Sequence, residues 1–145
     1  MELILWRHAD AEDGADDLRR KLTARGRRQA EGVAKWLAQR LPAGYELIAS
    51  PADRAQQTAQ ALGKKFRTRE ELAPGASVQA ILEAAGWPGG KGVVIVVGHQ
   101  PDLGRAVAHL VAGSKADWHV AKGGFWWLAH ERPATVKAAL SPELL

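Results

Sequence analysis

The stretch VVIVVGHQPDLG at residues 93–104 decides how this chain folds. Every residue from Val93 to Val97 is β-branched, which is typical of a strand that is buried on both faces. Pro101 and Asp102 then begin a helix. The apolar positions of that helix are Leu103, Ala106, Val107 and Leu110. A buried strand that leads almost directly into a helix predicts one unit of an α/β fold.

Two further segments share this layout of an apolar strand followed by polar residues. Glu2 to Trp6 is predicted to form a buried strand, and Arg7-His8 follow it at once. Tyr45 to Ala49 is the next predicted strand, and Ser50-Pro51 follow it with the residue types of a helix N-cap and a first helical position. Strands that alternate with helices in this way are expected to run parallel in one sheet.

The remaining segments complete the alternation. Thr23 is predicted to cap a helix that runs to about Leu41, and a second helix follows Ser50-Pro51 and stops at Gly63. We also expect a short strand and a turn over Arg67 to Gly75, a helix over Val78 to Ala85, and a closing antiparallel pair of strands over Gly124 to Ala129 and Thr135 to Ala139. The predicted fold class is α/β, as one domain over residues 1–145 with a mostly parallel sheet and helices on both faces.

The composition limits the classes of protein to consider. The chain has 145 residues, of which 46% are hydrophobic and 25% charged, and these values suit one globular domain. It has no cysteine, which excludes disulfides and suits a cytoplasmic protein. No apolar run approaches the roughly 20 residues of a membrane helix, so we expect no membrane partner. The net charge is +4, but the basic runs are typical of a solvated helix face and a solvated loop, so we expect no nucleic-acid partner.

The residues that carry chemistry collect after the three strands. In an open α/β sheet, ligands bind beyond the carboxyl ends of the strands, and this is where we expect Arg7, His8, Arg54 and His99. Two of these clusters also precede predicted helix N-termini, which favour an anion. Each residue alone has a simpler explanation as a solvated or capping side chain, so the prediction of a phosphate pocket depends on the set. We treat the remaining histidines as structural, and these are His109, His119 and His130.

Motifs at these positions resemble those of the histidine phosphatase superfamily. They are Arg7-His8 after the first strand, SPADRAQQTA at residues 50–59 and Gly98-His99. Three further stretches are similar to the small branch of SixA-type phosphohistidine phosphatases, namely LRRKLTARGRRQA at residues 18–30, GHQPDLG at residues 98–104 and Lys122-Gly123-Gly124. The resemblance covers nearly the whole chain and implies a phosphoglycerate-mutase-like α/β fold.

The resemblance also implies a mechanism. Neutral His8 is expected to attack phosphorus and to form a covalent phosphohistidine that water later hydrolyses. Arg7 and Arg54 are expected to hold the phosphoryl oxygens, and His99, if protonated, adds a donor and a positive charge. Arg20 is a further candidate phosphate contact, with a surface arginine as the competing interpretation. We expect no metal and no other cofactor.

The sequence departs from the superfamily pattern at two points. Ala9 replaces the usual glycine after Arg-His, a change that the SixA-type branch tolerates. No glutamate aligns with the proton donor of larger relatives, and the candidates Asp17, Glu70 and Glu71 are better interpreted as exposed charges. A phosphorylated imidazole is a better leaving group than an alkoxide. A site with no strong general acid therefore favours phosphohistidine on a partner protein as the substrate.

Two alternative functions stay open. One is a general phosphatase of the same superfamily that hydrolyses small phosphoesters or phosphoanhydrides. The other is a catalytically silent phosphate-binding adaptor, which the presence of all four pocket residues disfavours. We expect the protein to act as a monomer.

Overall fold

The computed structural model describes residues 1–145, and its centre is a six-stranded sheet. The strands are β1 (Glu2–Arg7), β2 (Glu46–Ala49), β3 (Arg67–Thr68), β4 (Val93–Gly98), β5 (Phe125–Ala129) and β6 (Thr135–Leu140). The α-helices are α1 (Ala24–Ala38), α2 (Asp53–Gln60), α3 (Val78–Ala85) and α4 (Asp102–Ala112). Short 3-10 helices cover Asp17–Arg19, Glu70–Leu72 and Pro142–Leu144.

The strand order is β3-β2-β4-β1-β5-β6. The first four strands of this order pair in parallel, and β5 pairs antiparallel with both β1 and β6. The predicted α/β class, the mostly parallel sheet and the closing antiparallel pair are therefore confirmed. In the observed register Arg7 lies beside Gly98 and Ala49 lies beside Val97. Three parallel strands consequently end at the same level, and the segments that follow them meet at one edge.

Helices cover both faces of the sheet because its central strands are apolar on both sides. In β4 the side chains of Val93, Ile95 and Val97 pack in one cluster with α1 and α2. Those of Val94 and Val96 pack in a second cluster with α3 and α4. Successive strand side chains point to opposite faces, so the continuous β-branched run supplies both halves of the core.

The structure corrects two helix boundaries. Helix α1 ends at Ala38, three residues before the predicted end at Leu41, because Pro42 has no N–H to donate to the Ala38 carbonyl. Ser50 is not the N-cap of the second helix, since α2 begins at Asp53. The Ser50 hydroxyl accepts from the Ala52 N–H at 3.2 Å and also contacts the histidine that follows β4, as described below. The predicted cap of α1 is confirmed, because Thr23 Oγ1 accepts a hydrogen bond from the Gly26 N–H at 2.9 Å.

The longest helix, α1, has 15 residues. None of the helices has the length and apolar character that crossing a membrane requires.

Candidate active site

The two histidines that follow β1 and β4 lie side by side. The ring centroids of His8 and His99 are 5.2 Å apart. Arg54, in the first turn of α2, reaches both rings: its Nε lies 3.3 Å from His8 Nε2, and its Nη2 lies 3.4 Å from His99 Nδ1. Backbone pairing sets this placement, since the His8 N–H donates to the Gly98 carbonyl at 3.0 Å. The structure thus brings three of the four predicted pocket residues into direct contact.

A backbone carbonyl orients the His8 ring. His8 Nδ1 lies 2.8 Å from the Ala9 carbonyl oxygen, which only accepts, so Nδ1 carries the proton. The lone pair of Nε2 is then directed toward Arg54. Burial, followed by the charges of Arg54 and Arg7, lowers the pKa of His8 to about 4. His8 is therefore neutral at pH 7, with a nucleophilic nitrogen facing the pocket.

The Ala9 peptide is itself held in place from α2. Its N–H donates to Thr58 Oγ1 at 3.1 Å, and this hydroxyl donates to the Arg54 carbonyl at 2.8 Å. Thr58 is fully buried. One hydroxyl therefore links the peptide that orients His8 to the helix that carries Arg54.

His99 is held as the opposite tautomer. Its Nε2 lies 2.7 Å from Ser50 Oγ, and its Nδ1 accepts from the Arg54 guanidinium, which can only donate. The proton therefore resides on Nε2. Burial, followed by the charges of His8 and Arg54, lowers the pKa of His99 to about 3. In this structure His99 is therefore a neutral ring, whereas the expectation from the resemblance includes a protonated donor.

Asp17 fixes the Arg54 side chain, which is only 5% exposed. Its backbone carbonyl accepts from Arg54 Nη1 at 2.6 Å, and its carboxylate accepts from Nη2 at 3.2 Å. The same carboxylate accepts from Arg20 Nη1 at 3.1 Å, and the bonds from Arg20 and Arg54 lower the pKa of Asp17. An ionised acceptor does not suit the role of proton donor, so the structure places Asp17 as a support for Arg54.

Two further arginines, Arg7 and Arg20, donate hydrogen bonds to backbone carbonyls. Arg7 Nη1 donates to the Val120 carbonyl at 3.0 Å, whereas Arg7 Nε is buried and has no hydrogen-bond partner. Arg20 Nε donates to the Glu12 carbonyl at 2.7 Å. The Arg20 charge contributes to the lowered pKa of His8, which places Arg20 near the pocket rather than on a remote surface.

The other proton-donor candidates lie outside these contacts. Glu70 and Glu71 are exposed in the 3-10 helix that follows β3. The carboxylate of Glu71 accepts from Arg69 Nε at 3.1 Å. Neither glutamate forms a hydrogen bond with a residue of the pocket. The structure contains no group of three acidic or histidine side chains placed to hold a metal ion.

The sequence analysis missed the residues that orient the pocket. The sequence predicts Ser50 as a helix cap, and Thr58 lies within the SPADRAQQTA stretch with no role assigned to it. A hydroxyl on an otherwise apolar helix face is the signal that marks Thr58, because a buried hydroxyl requires a hydrogen-bond partner. The Ala9 and Val120 carbonyls carry no sequence signal, since every residue has one.

Comparisons with known proteins show the family of this chain. A family model described as the histidine phosphatase superfamily (branch 1) matches residues 3–75. Phosphohistidine phosphatase SixA of Escherichia coli K12 is 32% identical over 123 residues, covering 78% of this chain and 76% of SixA. An uncharacterized protein of Picosynechococcus is 40% identical over 120 residues, covering 72% of this chain and 70% of that protein.

The fold of this chain also matches that of a solved SixA structure. A solved structure of the protein histidine phosphatase SixA complexed with tungstate superposes with a TM-score of 0.84 at 26% identity, and the match covers 99% of each chain. The strand order, the pocket and these matches together establish that the chain belongs to the histidine phosphatase superfamily, as a SixA-like phosphatase.

Proposed function

We propose that this protein hydrolyses phosphohistidine on a partner protein through a covalent phosphohistidine formed on His8. The observation that carries the proposal is the 2.8 Å contact between His8 Nδ1 and the Ala9 carbonyl. It fixes the proton on Nδ1 and leaves the Nε2 lone pair facing two basic side chains. The E. coli relative is a phosphohistidine phosphatase, and the SixA structure holds tungstate, a tetrahedral oxyanion like phosphate.

In the first step His8 Nε2 attacks the phosphorus atom in line. A bond forms between Nε2 and phosphorus, and the bond between phosphorus and the substrate imidazole breaks. The substrate imidazole keeps the electron pair of that bond and leaves as a neutral ring once it has gained a proton from solvent. Because His8 is already neutral at pH 7, no base has to deprotonate it before the attack.

Guanidinium groups hold the transferred phosphoryl group. Arg54 presents Nε and Nη2 between the two rings, and its contacts with Asp17 keep it there. The Arg7 charge also acts on His8, and we propose that the Arg7 guanidinium supplies a second positive charge to the phosphoryl group. These fixed positive charges favour the negative charge of the transition state, and we propose that no metal ion is needed.

His99 changes its role when a phosphoryl group lies beside it. In the structure its Nδ1 accepts from Arg54, and burial together with the neighbouring positive charges keeps the ring neutral. A phosphoryl dianion supplies the opposite charge and favours a proton on Nδ1. His99 then becomes a donor to the phosphoryl oxygens while Ser50 continues to hold its other nitrogen.

In the second step water attacks the phosphorus atom of phosphorylated His8. The bond between phosphorus and Nε2 breaks, the electron pair returns to His8, and inorganic phosphate leaves. The same guanidinium groups hold the phosphoryl oxygens in both steps, so positioning and electrostatics supply most of the rate.

The test measures the hydrolysis of a phosphohistidine peptide and of p-nitrophenyl phosphate by wild-type protein, H8A and R54A. We expect H8A to lose turnover, and R54A to lose at least about 10²-fold in rate, the scale of removing a fixed transition-state donor. Wild-type protein, but not H8A, should give an acid-labile phosphoenzyme with a radiolabelled phosphodonor. Faster hydrolysis of the small ester would favour the general phosphatase. The absence of both turnover and phosphoenzyme would favour the silent adaptor.

A further inference from the structure

A second cleft adjoins the pocket and shares Arg7 with it. The cleft has a volume of about 320 Å³ and lies between the first turns of α1, the loop before β5 and the C-terminal 3-10 helix. Its charged lining residues are Arg7, Asp10, Arg25, Lys122 and Glu143. A substrate whose phosphoryl group is held by Arg7 therefore has this cleft beside it.

The acidic residues of the cleft are already bonded within the protein. Asp10 Oδ2 accepts from Thr23 Oγ1 at 2.8 Å, and Asp10 Oδ1 accepts from Lys122 Nζ at 3.1 Å. Glu143 Oε1 accepts from Ser141 Oγ at 3.0 Å. The ion pair neutralises Asp10 and Lys122 against each other, whereas Glu143 keeps its negative charge and has a hydroxyl donor beside it.

Arg25 is different, because its guanidinium forms no hydrogen bond and no ion pair with any residue. It is exposed, and it lines the cleft together with Gln29, one turn later on the same face of α1. Its charge is close enough to contribute to the lowered pKa of Asp10, yet both oxygens of Asp10 are engaged elsewhere. The lining has three cations, Arg7, Arg25 and Lys122, against two anions, Asp10 and Glu143, so the cleft keeps a net positive charge.

We infer that this cleft binds an acidic side chain of the partner protein, with Arg25 pairing to a carboxylate near the phosphohistidine. The inference rests on the proposed function and adds a substrate preference to it. The lining is mainly polar and charged, which suits an extended acidic segment rather than an apolar one. A carboxylate is the acidic group that a partner supplies beside a phosphorylated residue, and a guanidinium binds it in a bidentate geometry.

The experiment compares two phosphohistidine peptides that differ only in the residues flanking the phosphohistidine, which are glutamate in one and glutamine in the other. We expect wild-type protein to show a kcat/KM about fivefold higher for the glutamate peptide, the scale of one partly exposed ion pair. R25Q should lose this preference. R27Q is the matched control, because Arg27 is an exposed arginine of α1 that does not line the cleft, and it should keep the preference.

A charge reversal separates recognition from a structural effect. R25E should prefer a peptide with lysine in the flanking positions over the glutamate peptide, which a merely destabilised protein would not do. Equal kcat/KM values for the glutamate and glutamine peptides with wild-type protein would overturn the inference and leave the proposed function standing. Failure to hydrolyse either peptide while p-nitrophenyl phosphate is hydrolysed would overturn both.

Discussion

The carbonyl oxygen and the carboxylate of Asp17 both accept hydrogen bonds from the Arg54 guanidinium, at 2.6 Å and 3.2 Å. Asp17 begins the short 3-10 helix that follows β1, whereas Arg54 comes from the helix after β2. This contact holds Arg54 with its Nε and Nη2 atoms against the two histidine rings. A residue of the segment between β1 and α1 thereby decides where the positive charge of the pocket lies.

We expect D17A to reduce kcat/KM for p-nitrophenyl phosphate about fivefold. The Asp17 side chain is 57% exposed, so the lost ion pair is partly screened, and the backbone contact with Arg54 remains. D13A is the control, since Asp13 is an exposed acid of the same segment with no hydrogen bond to the pocket. Equal kcat/KM values for D17A and D13A would show that Asp17 does not position Arg54.

We expect S50A to lower kcat about tenfold. The change removes the acceptor that holds the His99 Nε2 proton and leaves a buried polar group unsatisfied, at a cost of about 1–3 kcal/mol. S77A is the matched control. Ser77 caps α3, so its loss lowers stability by about 1 kcal/mol without touching the pocket. Denaturation and steady-state kinetics on both variants separate a loss of stability from a loss of catalysis. A normal kcat in S50A would mean that Ser50 has only a structural role.

The free energy of unfolding should fall as the pH is lowered from about 6.5 to about 4. In the folded protein the pKa of His8 is about 4 and that of His99 is about 3, whereas a histidine of the unfolded chain titrates near 6.5. The unfolded chain binds more protons in this window, so stability is fully present above about pH 6.5 and decreases with acid. The slope approaches about 1.4 kcal/mol per pH unit for each histidine.

Urea denaturation between pH 7.5 and pH 4.5 measures this slope. The double variant H8N/H99N should show a flatter dependence than wild-type protein, and H109N, which changes an exposed histidine of α4, serves as the control. If the free energy of unfolding depends on pH identically in the double variant and in wild-type protein, the pocket histidines do not cause this dependence.

Two glycines of α1 should respond oppositely to alanine. A Cβ at Gly26 would lie 2.0 Å from the Asp10 carbonyl oxygen, so G26A must displace the loop that follows His8. We expect it to lower stability and phosphatase activity together. A Cβ at Gly32 meets only the Leu145 side chain at 3.8 Å, and alanine is the better helix former by about 0.5–1 kcal/mol. G32A should therefore raise the melting temperature and keep the activity. If G26A and G32A change the melting temperature and the activity equally, the close approach of Gly26 to the Asp10 carbonyl does not matter for stability.

Much of the fold follows from patterns along the chain. The β-branched run of β4 has no polar position, and this predicts a central strand covered on both faces, as observed. The three strand-to-polar junctions predict that Arg7, His8, Arg54 and His99 emerge at one edge of the sheet. The short distances among His8, Arg54 and His99 agree with that prediction. The catalytic roles of these residues stay predictions until the variants are measured.

Sequence by itself determined which residue types stand at the ends of the parallel strands, because strand periodicity and helix boundaries are local properties. Only the tertiary structure decided which nitrogen of each histidine carries a proton. That depends on the Ala9 carbonyl beside His8 and on Ser50 beside His99. A backbone carbonyl has no residue-type signature, and residues far apart in the chain meet only through the register of the sheet. The chemistry of the pocket therefore depends on contacts that no local pattern encodes.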